Sequence, residues 1–582
     1  MNNTPDKEDL NMKMKADLAN SKPKSNLKVI IFLLAIIFIG GVLRFWGLSQ
    51  KGLFHFDEGV HTKESLHIKA MMDFWLNSIR IKVEEKITGK QIMTKNQGTI
   101  EYQNALNTGA IMVFARPLYI FLSAIFNYIF SNPITAILML SGFLGTLSIL
   151  IIFIIARELK NNFFAILSSL FFAISGYHVI YSRMAFAEIP SVGFLLFSFF
   201  CILKVLSPAE KRDEIKWCFL AGLFAGFSFT ANYRYILAVM FMLCGFICEI
   251  LLKERRKSFS GLIKIFFYFI CGFIIAPVMF EGYYHTEFLL SRKLKVPFTQ
   301  PTYFEQFMGQ SKLQQNLFGN IQSQHGIYER LPLEFPYLYC HLTGFLSFIF
   351  AILGMLILLK KRYPARFLLL FTALGPIIFY SIFSHREARY FVVCLPFFSI
   401  LTAVSFISLD EYIRKHKSSD KILGRLLIFL LILLLSEEIF RTIPLVKLKS
   451  GYSTAIDYLK KNGDLKHISS QAHITVFYAG VENTAYPPAT EEELKNLIEK
   501  NFRYYLVDAQ ALIGGFGGLL NEKLKIISEI QKKSKPILSI PNPSSAHFLF
   551  WFEHNNNFSQ TMEFMKELNN TPWGKIEIFK IE

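Results

Sequence analysis

The sequence predicts an all-α polytopic membrane protein of about 11–13 transmembrane helices, with a small α/β domain at its C-terminal end. Three observations carry this. The apolar residues are 52% of the 582-residue chain, with 61 Phe among them. They fall in blocks long enough to cross a hydrocarbon core of about 30 Å, which takes roughly 20 helical residues. Lys and Arg gather in short loops between those blocks, as they do on the cytoplasmic side of a bilayer. From about residue 450 the long blocks give way to short apolar runs alternating with amphipathic stretches.

Residues 1–27 are polar and Lys-rich and read as a disordered cytoplasmic tail. Val29 to Leu48 is the first span. Its one charge, Arg44, lies near the outer end, within snorkelling reach of the headgroups. The block is too long for a signal-peptide core and has no small-residue cleavage site, so it reads as a retained anchor. A polar segment over about 49–108 follows, in which Val60, Ile68, Met71, Trp75 and Ile79 recur at helical spacing and suit a helix lying on the membrane surface. Further apolar blocks lie at about 109–130, 133–156, 162–181, 189–206, 216–231, 235–252, 260–280, 338–359, 366–384, 390–408 and 422–440. Backbone groups in lipid need internal partners, so these blocks are read as helices. The membrane domain is thus expected over 28–445, with external loops at about 49–108 and 281–337.

The basic stretches Lys253 to Lys257, Lys360 to Arg362 and Arg414 to Lys417 place their loops inside, the N-terminus inside and the C-terminal domain (446–582) outside. This alternation allows only one of the blocks 109–130 and 133–156 a full crossing. Arg116-Pro117 marks the first as the partial or interfacial element. In the C-terminal domain Ala455 to Lys461, Glu491 to Lys500 and Ser559 to Leu568 read as helices. Tyr504 to Val507 and Ile537 to Ile540 read as strands.

The net charge of +18 does not indicate nucleic acid, because the basic residues belong to loops between spans. The seven cysteines lie in or beside apolar blocks and suit packing better than metal binding; Cys244 and Cys248 are one turn apart, with no His or further Cys nearby.

Several charged residues fall instead at predicted outer boundaries, where arginine is expected to be scarce. Phe54-His55-Phe56-Asp57-Glu58-Gly59-Val60-His61 puts two carboxylates just past the first span. Arg116 sits inside an apolar block, where it needs a cavity, a partner or a lipid phosphate. Tyr181 to Pro190 carries Arg183 and Glu188, Asn232-Tyr233-Arg234 forms a turn, and Ser384 to Tyr390 carries Arg386, Arg389 and Tyr390. Each alone also suits a solvated turn. Together they suit an anionic ligand held at that face, since guanidinium binds phosphate in a bidentate fork.

An acidic pair after the first span, a basic-Pro motif opening the next block, a Ser-Arg…acid…Pro turn and a late Arg-x-x-Arg-Tyr turn together resemble the GT-C glycosyltransferases. The arrangement is most similar to the protein-O-mannosyltransferase-like branch that includes the aminoarabinose transferases, over roughly 28–440. The resemblance implies transfer of a sugar from a polyprenyl-phosphate carrier to a lipid, glycan or protein acceptor at the non-cytoplasmic face of the cell membrane. It implies Asp57 as catalytic carboxylate, Glu58 as its acidic neighbour, Glu188 as a second acidic position and Arg116 as the contact to the lipid phosphate. Arg183, Arg234, Arg386, Arg389 and Tyr390 join Arg116 as candidate phosphate ligands. The chain departs from the pattern in having a single proline after Arg116 and no His-rich signature over Glu101 to Gly109.

The chemistry is self-consistent. A carboxylate takes the proton of the attacking hydroxyl, arginines stabilise the leaving phosphate, and a single displacement inverts the anomeric carbon. A divalent cation bridging carboxylate and phosphate is compatible with this, but no ligand spacing calls for one. The rival readings are a transporter or lipid flippase, which would show internal repeats and mid-membrane charges, and a non-enzymatic assembly partner. Convergence of Asp57, Arg116, Glu188 and Arg389 discriminates among them.

Overall fold

The computed structural model describes residues 24–110, 115–207, 213–252, 259–297, 301–309, 334–360, 363–382, 388–415, 420–508, 520–542 and 575–581. The N-terminal tail, most of the basic loops, Arg386 and the helix expected over Ser559 to Leu568 lie outside these residues.

Among the described residues each apolar block forms helix. The first helix, α1 (Lys24–Phe45), leads through a short 3-10 turn into α2 (Phe56–Thr88) and α3 (Lys95–Asn107), which fill the first polar segment. Then come α4 (Pro117–Ile129), α5 (Pro133–Leu159), α6 (Asn162–Ile174), α7 (Gly176–Tyr181), α8 (Glu188–Leu206), α9 (Glu214–Ala231), α10 (Ile236–Leu252) and α11 (Phe259–Leu294). The bundle is completed by α12 (Glu334–Leu342), α13 (Phe345–Lys360), α14 (Arg366–Ile382), α15 (Leu395–Lys415) and α16 (Asp420–Val446). Six helical stretches among the described residues are long and apolar enough to cross a membrane, and α4, α6, α13 and α14 are shorter apolar helices.

Pro residues and caps set the starts. Pro117 and Pro133 stand at first helical positions, where their missing N–H costs nothing. Asn132 accepts from Thr135 N at 3.0 Å and Asn161 from Phe164 N at 2.9 Å. At 13 residues α4 is about 20 Å long, short of the hydrocarbon core, whereas α5 has 27 residues. The block read as one helix over 162–181 breaks at Ser175 (φ −56°, ψ 109°), whose hydroxyl meets Thr343 Oγ1 at 3.0 Å. The block at 390–408 begins as a 3-10 turn, Ala388–Cys394. Small residues allow tight helix pairing: a Cβ on Gly222 of α9 would collide with the carbonyl of Phe269 on α11.

The C-terminal part comprises α17 (Tyr452–Lys461), β1 (His467–Ser469), α18 (Ala472–Ala479), β2 (Thr484–Ala485), α19 (Glu491–Glu499), β3 (Tyr504–Val507), α20 (Leu520–Lys533), β4 (Leu538–Pro541) and β5 (Lys575–Lys580). The sheet order is β2-β1-β3-β5-β4. β1 pairs in parallel with β2 and β3, and β5 pairs antiparallel with β3 and β4. Ile468, Tyr505, Val507 and Phe579 pack on one side with Ile526, Ile527 and Ile530 of α20. The other side, through Leu506, Ile576, Ile578 and Ile456, continues into one core with Ile68 of α2, Tyr119 of α4 and Ile137 of α5. The sheet is therefore packed onto the first polar segment and not tethered beside it.

Candidate functional site

The start of α2 determines where the first carboxylates go. His55, the N-cap, accepts from Asp57 N at 3.1 Å through Nδ1. Glu58 reaches back to accept from Phe54 N at 2.7 Å and His55 N at 2.9 Å. Its other oxygen accepts from Ala185 N at 2.8 Å, and Lys51 Nζ lies 3.9 Å away. The Glu58 carboxylate thus binds the start of α2 to the turn before α8, and its oxygens face backbone N–H groups. Asp57, one residue earlier, meets a side chain instead.

Asp57 Oδ2 lies 2.6 Å from Arg389 Nη1. Arg389, from the 3-10 turn before α15, has its guanidinium 5.0 Å from the Phe186 ring centroid and its Nε 3.8 Å from Glu188 Oε1. Glu188, in the first turn of α8, also accepts from Asn232 Nδ2 at 3.1 Å. Its Oε2 is buried and has no hydrogen-bond partner among the described residues. Asn232 Oδ1 in turn accepts from Arg234 N at 3.2 Å, and the Arg234 guanidinium lies 4.4 Å over Tyr390. On the other side of Asp57, Arg116 Nη1 lies 2.7 Å from His61 Nε2, and His61 Nδ1 is 3.3 Å from Glu64 Oε2. Asp57, Arg116, Glu188, Arg389, Arg234 and Tyr390 therefore form one continuous cluster where five segments distant in sequence meet.

The electrostatics are strongly coupled. Burial alone would raise the Asp57 carboxyl, but Arg389, His55, Arg116 and His61 outweigh it and hold the group well below the usual carboxylate range. Burial and then the Arg116 charge push His61 well below its ordinary value, against the pull of Asp57, so the imidazole is neutral.

Arg183 does not join this cluster. Its guanidinium donates to Leu43 O (3.3 Å), Arg44 O (3.0 Å) and Val446 O (2.8 Å), the carbonyl ends of α1 and α16. It is committed to backbone, so it is not available as a phosphate ligand of the cluster. Arg386 lies outside the described residues. His61, Glu64 and His473 are the members that the sequence reading missed. The one-turn spacing of His61 and Glu64 on a helix beside Asp57 was the available signal. His473, on α18, meets Phe56 at 4.2 Å between ring centroids, Lys63 Nζ at 3.3 Å and Tyr486 Oη at 2.8–2.9 Å. Burial and Lys63 push it down to about 4, against Asp57. A Cβ on Gly59 would strike the His473 carbonyl, so α18 rests directly on the α2 turn that follows Asp57.

Among the described residues no group of three or more His, Cys, Asp or Glu side chains is placed to hold a metal ion. Arg389 occupies the space between the Asp57 and Glu188 carboxylates.

Residues 115–280 match the family model described as dolichyl-phosphate-mannose-protein mannosyltransferase. No curated protein matches the chain by sequence. Among solved structures, ArnT from Cupriavidus metallidurans in the apo state superposes with a TM-score of 0.50 at 12% identity, over 83% of this chain and 93% of that one. The chain has the GT-C fold. ArnT of the same organism bound to undecaprenyl phosphate gives a TM-score of 0.42 at 13% identity, covering 93% and 88% of the two chains. The archaeal oligosaccharyltransferase AglB from Archaeoglobus fulgidus, in complex with an inhibitory peptide and a dolichol-phosphate, gives 0.49 at 11% identity, covering 84% and 70%. Within this GT-C fold the matched segment 115–280 contains Arg116, Glu188 and Arg234.

Proposed function

We propose that the protein is a glycosyltransferase that moves a sugar from a polyprenyl-phosphate donor to a hydroxyl-bearing acceptor at the extracytoplasmic face, with inversion. The observation that carries this reading is the Asp57–Arg389–Glu188 contact, 2.6 Å on one side and 3.8 Å on the other, where the starts of α2 and α8 meet the turn before α15, beside Arg116. The family description supports a lipid-phosphate donor.

In this mechanism the acceptor oxygen attacks the anomeric carbon and gives its proton to Asp57. The bond from that carbon to the phosphate oxygen breaks, and the electron pair leaves on the phosphate, met by Arg116 and Arg389. With Arg389 in contact, the Asp57 carboxylate stays ionised but is a weak base. A donor phosphate that draws Arg389 away raises its proton affinity as the substrate arrives.

Asp57→Asn keeps the shape and removes the proton acceptor. Turnover with a polyprenyl-phosphate-sugar donor in nanodiscs is expected to fall by about 10²–10⁴ while donor binding survives. Wild-type turnover by this variant would discard the reading. The orientation, N-terminus inside and C-terminal domain outside, follows from the basic loops. In a cysteine-free background, a Glu492→Cys label accessible only after lysis would reverse it.

A further inference from the structure

Arg116 is held by a buried relay that the sequence pattern and the family description do not include. Glu64 and His61 lie one turn apart on α2 and are wholly buried, and Arg116 is 2% exposed at the N-cap of α4. Arginine has only donors, so the 2.7 Å contact makes His61 Nε2 the acceptor. The imidazole proton must then sit on Nδ1, which faces Glu64 Oε2 at 3.3 Å. The Tyr119 ring stands edge-on to the imidazole, 5.5 Å between centroids at 90°, and limits its rotation. Asn127 Nδ2 donates to Ser65 Oγ at 3.1 Å and ties α4 to the same stretch of α2. A guanidinium on a long flexible stem is thus fixed in one orientation by a neutral imidazole, whose tautomer is fixed by a carboxylate.

We propose that Glu64 and His61 are positioning residues that aim Arg116 at the donor phosphate. The inference rests on the glycosyltransferase reading and deepens it. The His61 contact fixes the guanidinium plane, and with it the direction from which Arg116 meets a phosphate oxygen. Asparagine at 61 places its amide near the Nδ1 position and loses the acceptor for Arg116. Glutamine places its amide oxygen near the Nε2 position and retains that acceptor. A role in packing alone would not separate the two.

The test measures binding of undecaprenyl phosphate to the full-length protein in nanodiscs, together with donor KM and kcat. Arg116→Ala serves as reference. His61→Asn should weaken binding and raise donor KM about 10-fold, the loss of one charge-assisted hydrogen bond, with kcat changed far less. His61→Gln should stay within about threefold of wild type, since the acceptor is kept. If His61→Asn does not fold, the pair Glu64→Gln and Glu64→Leu replaces it: the first should bind nearly as wild type and the second like the Arg116→Ala protein. Weak binding by Arg116→Ala with wild-type binding by His61→Asn, or by Glu64→Leu where that pair is used, would overturn the relay and leave the glycosyltransferase reading standing. Equal losses in His61→Asn and His61→Gln would also overturn it. Wild-type binding by Arg116→Ala would overturn the phosphate assignment and the relay with it.

Discussion

The turn from Ser182 to Ala187 and the turn from Ala388 to Cys394 lie against each other. Tyr177 Oη, just before the first, donates to Ala388 O at 2.5 Å, and the Arg389 guanidinium rests over Phe186. Each turn carries a buried arginine beside an aromatic residue, and in sequence both read as anion sites. Their partners differ. Arg183 meets three main-chain carbonyls, which are permanent features of the fold. Arg389 meets two side-chain carboxylates, whose charge and position a ligand can change. A buried arginine on carbonyls holds the fold together, whereas one on carboxylates can exchange partners. The same distinction separates Glu58, bound to three backbone N–H groups, from Asp57, bound to Arg389.

The largest effect expected from this contrast is in Arg389→Ala. It should lower sugar transfer by about 10²–10³, the usual cost of removing a donor aimed at developing charge. Arg183→Ala should lower the yield of folded protein, by about 3 kcal/mol of stability for three abandoned carbonyls. The fraction that folds should keep its specific activity within about threefold. A fully folded, inactive Arg183→Ala protein would break the comparison. Arg389→Lys sharpens it: a point charge cannot reproduce a fork between Asp57 and Glu188, so transfer should drop about 10-fold with the fold intact. Glu58→Gln should reduce thermal stability and spare turnover. A loss of turnover in Glu58→Gln matching that of Asp57→Asn would show that the neighbouring carboxylates share the chemistry.

The smallest effect is a dependence on pH at the domain contact. The folded value of His473 lies below its ordinary 6.5, so between about 6.5 and 4 the unfolded or detached form binds more protons. The contact is therefore fully present above that window and weakens as the pH falls through it, because a protonated His473 faces Lys63, with only Asp57 to compensate. Hydrogen exchange of α18 should increase between pH 7 and pH 4.5, and His473→Gln should flatten the change.

The helices were legible because lipid imposes a length and a composition that only apolar runs of about 20 residues satisfy. The place of the Asp57 carboxylate just past the first helix was legible, and so was the start of α4 at Arg116-Pro117. The backbone anchoring of Glu58 was not, because it depends on a helix cap formed by His55, outside the usual Ser, Thr, Asp and Asn caps. The carbonyl partners of Arg183 come from the ends of α1 and α16, a pairing that no local pattern encodes. His473 meets Lys63 across 410 residues, and the short strands around it suggested a separate domain rather than a wall of the cluster.

Lys51 gives the seam between the two halves a chemical reporter. It is wholly buried, its backbone oxygen accepts from Ser450 N at 2.7 Å, and the Tyr478 hydroxyl approaches its neighbour Gly52. Burial, more than the opposing pull of Glu58, lowers its amine to about 8. The burial that lowers the amine also shields it: beside Glu58 and the Phe54 ring it stays unmodified while the seam is shut. Once the seam opens, the rate of its modification times how often the C-terminal half lifts from the first polar segment.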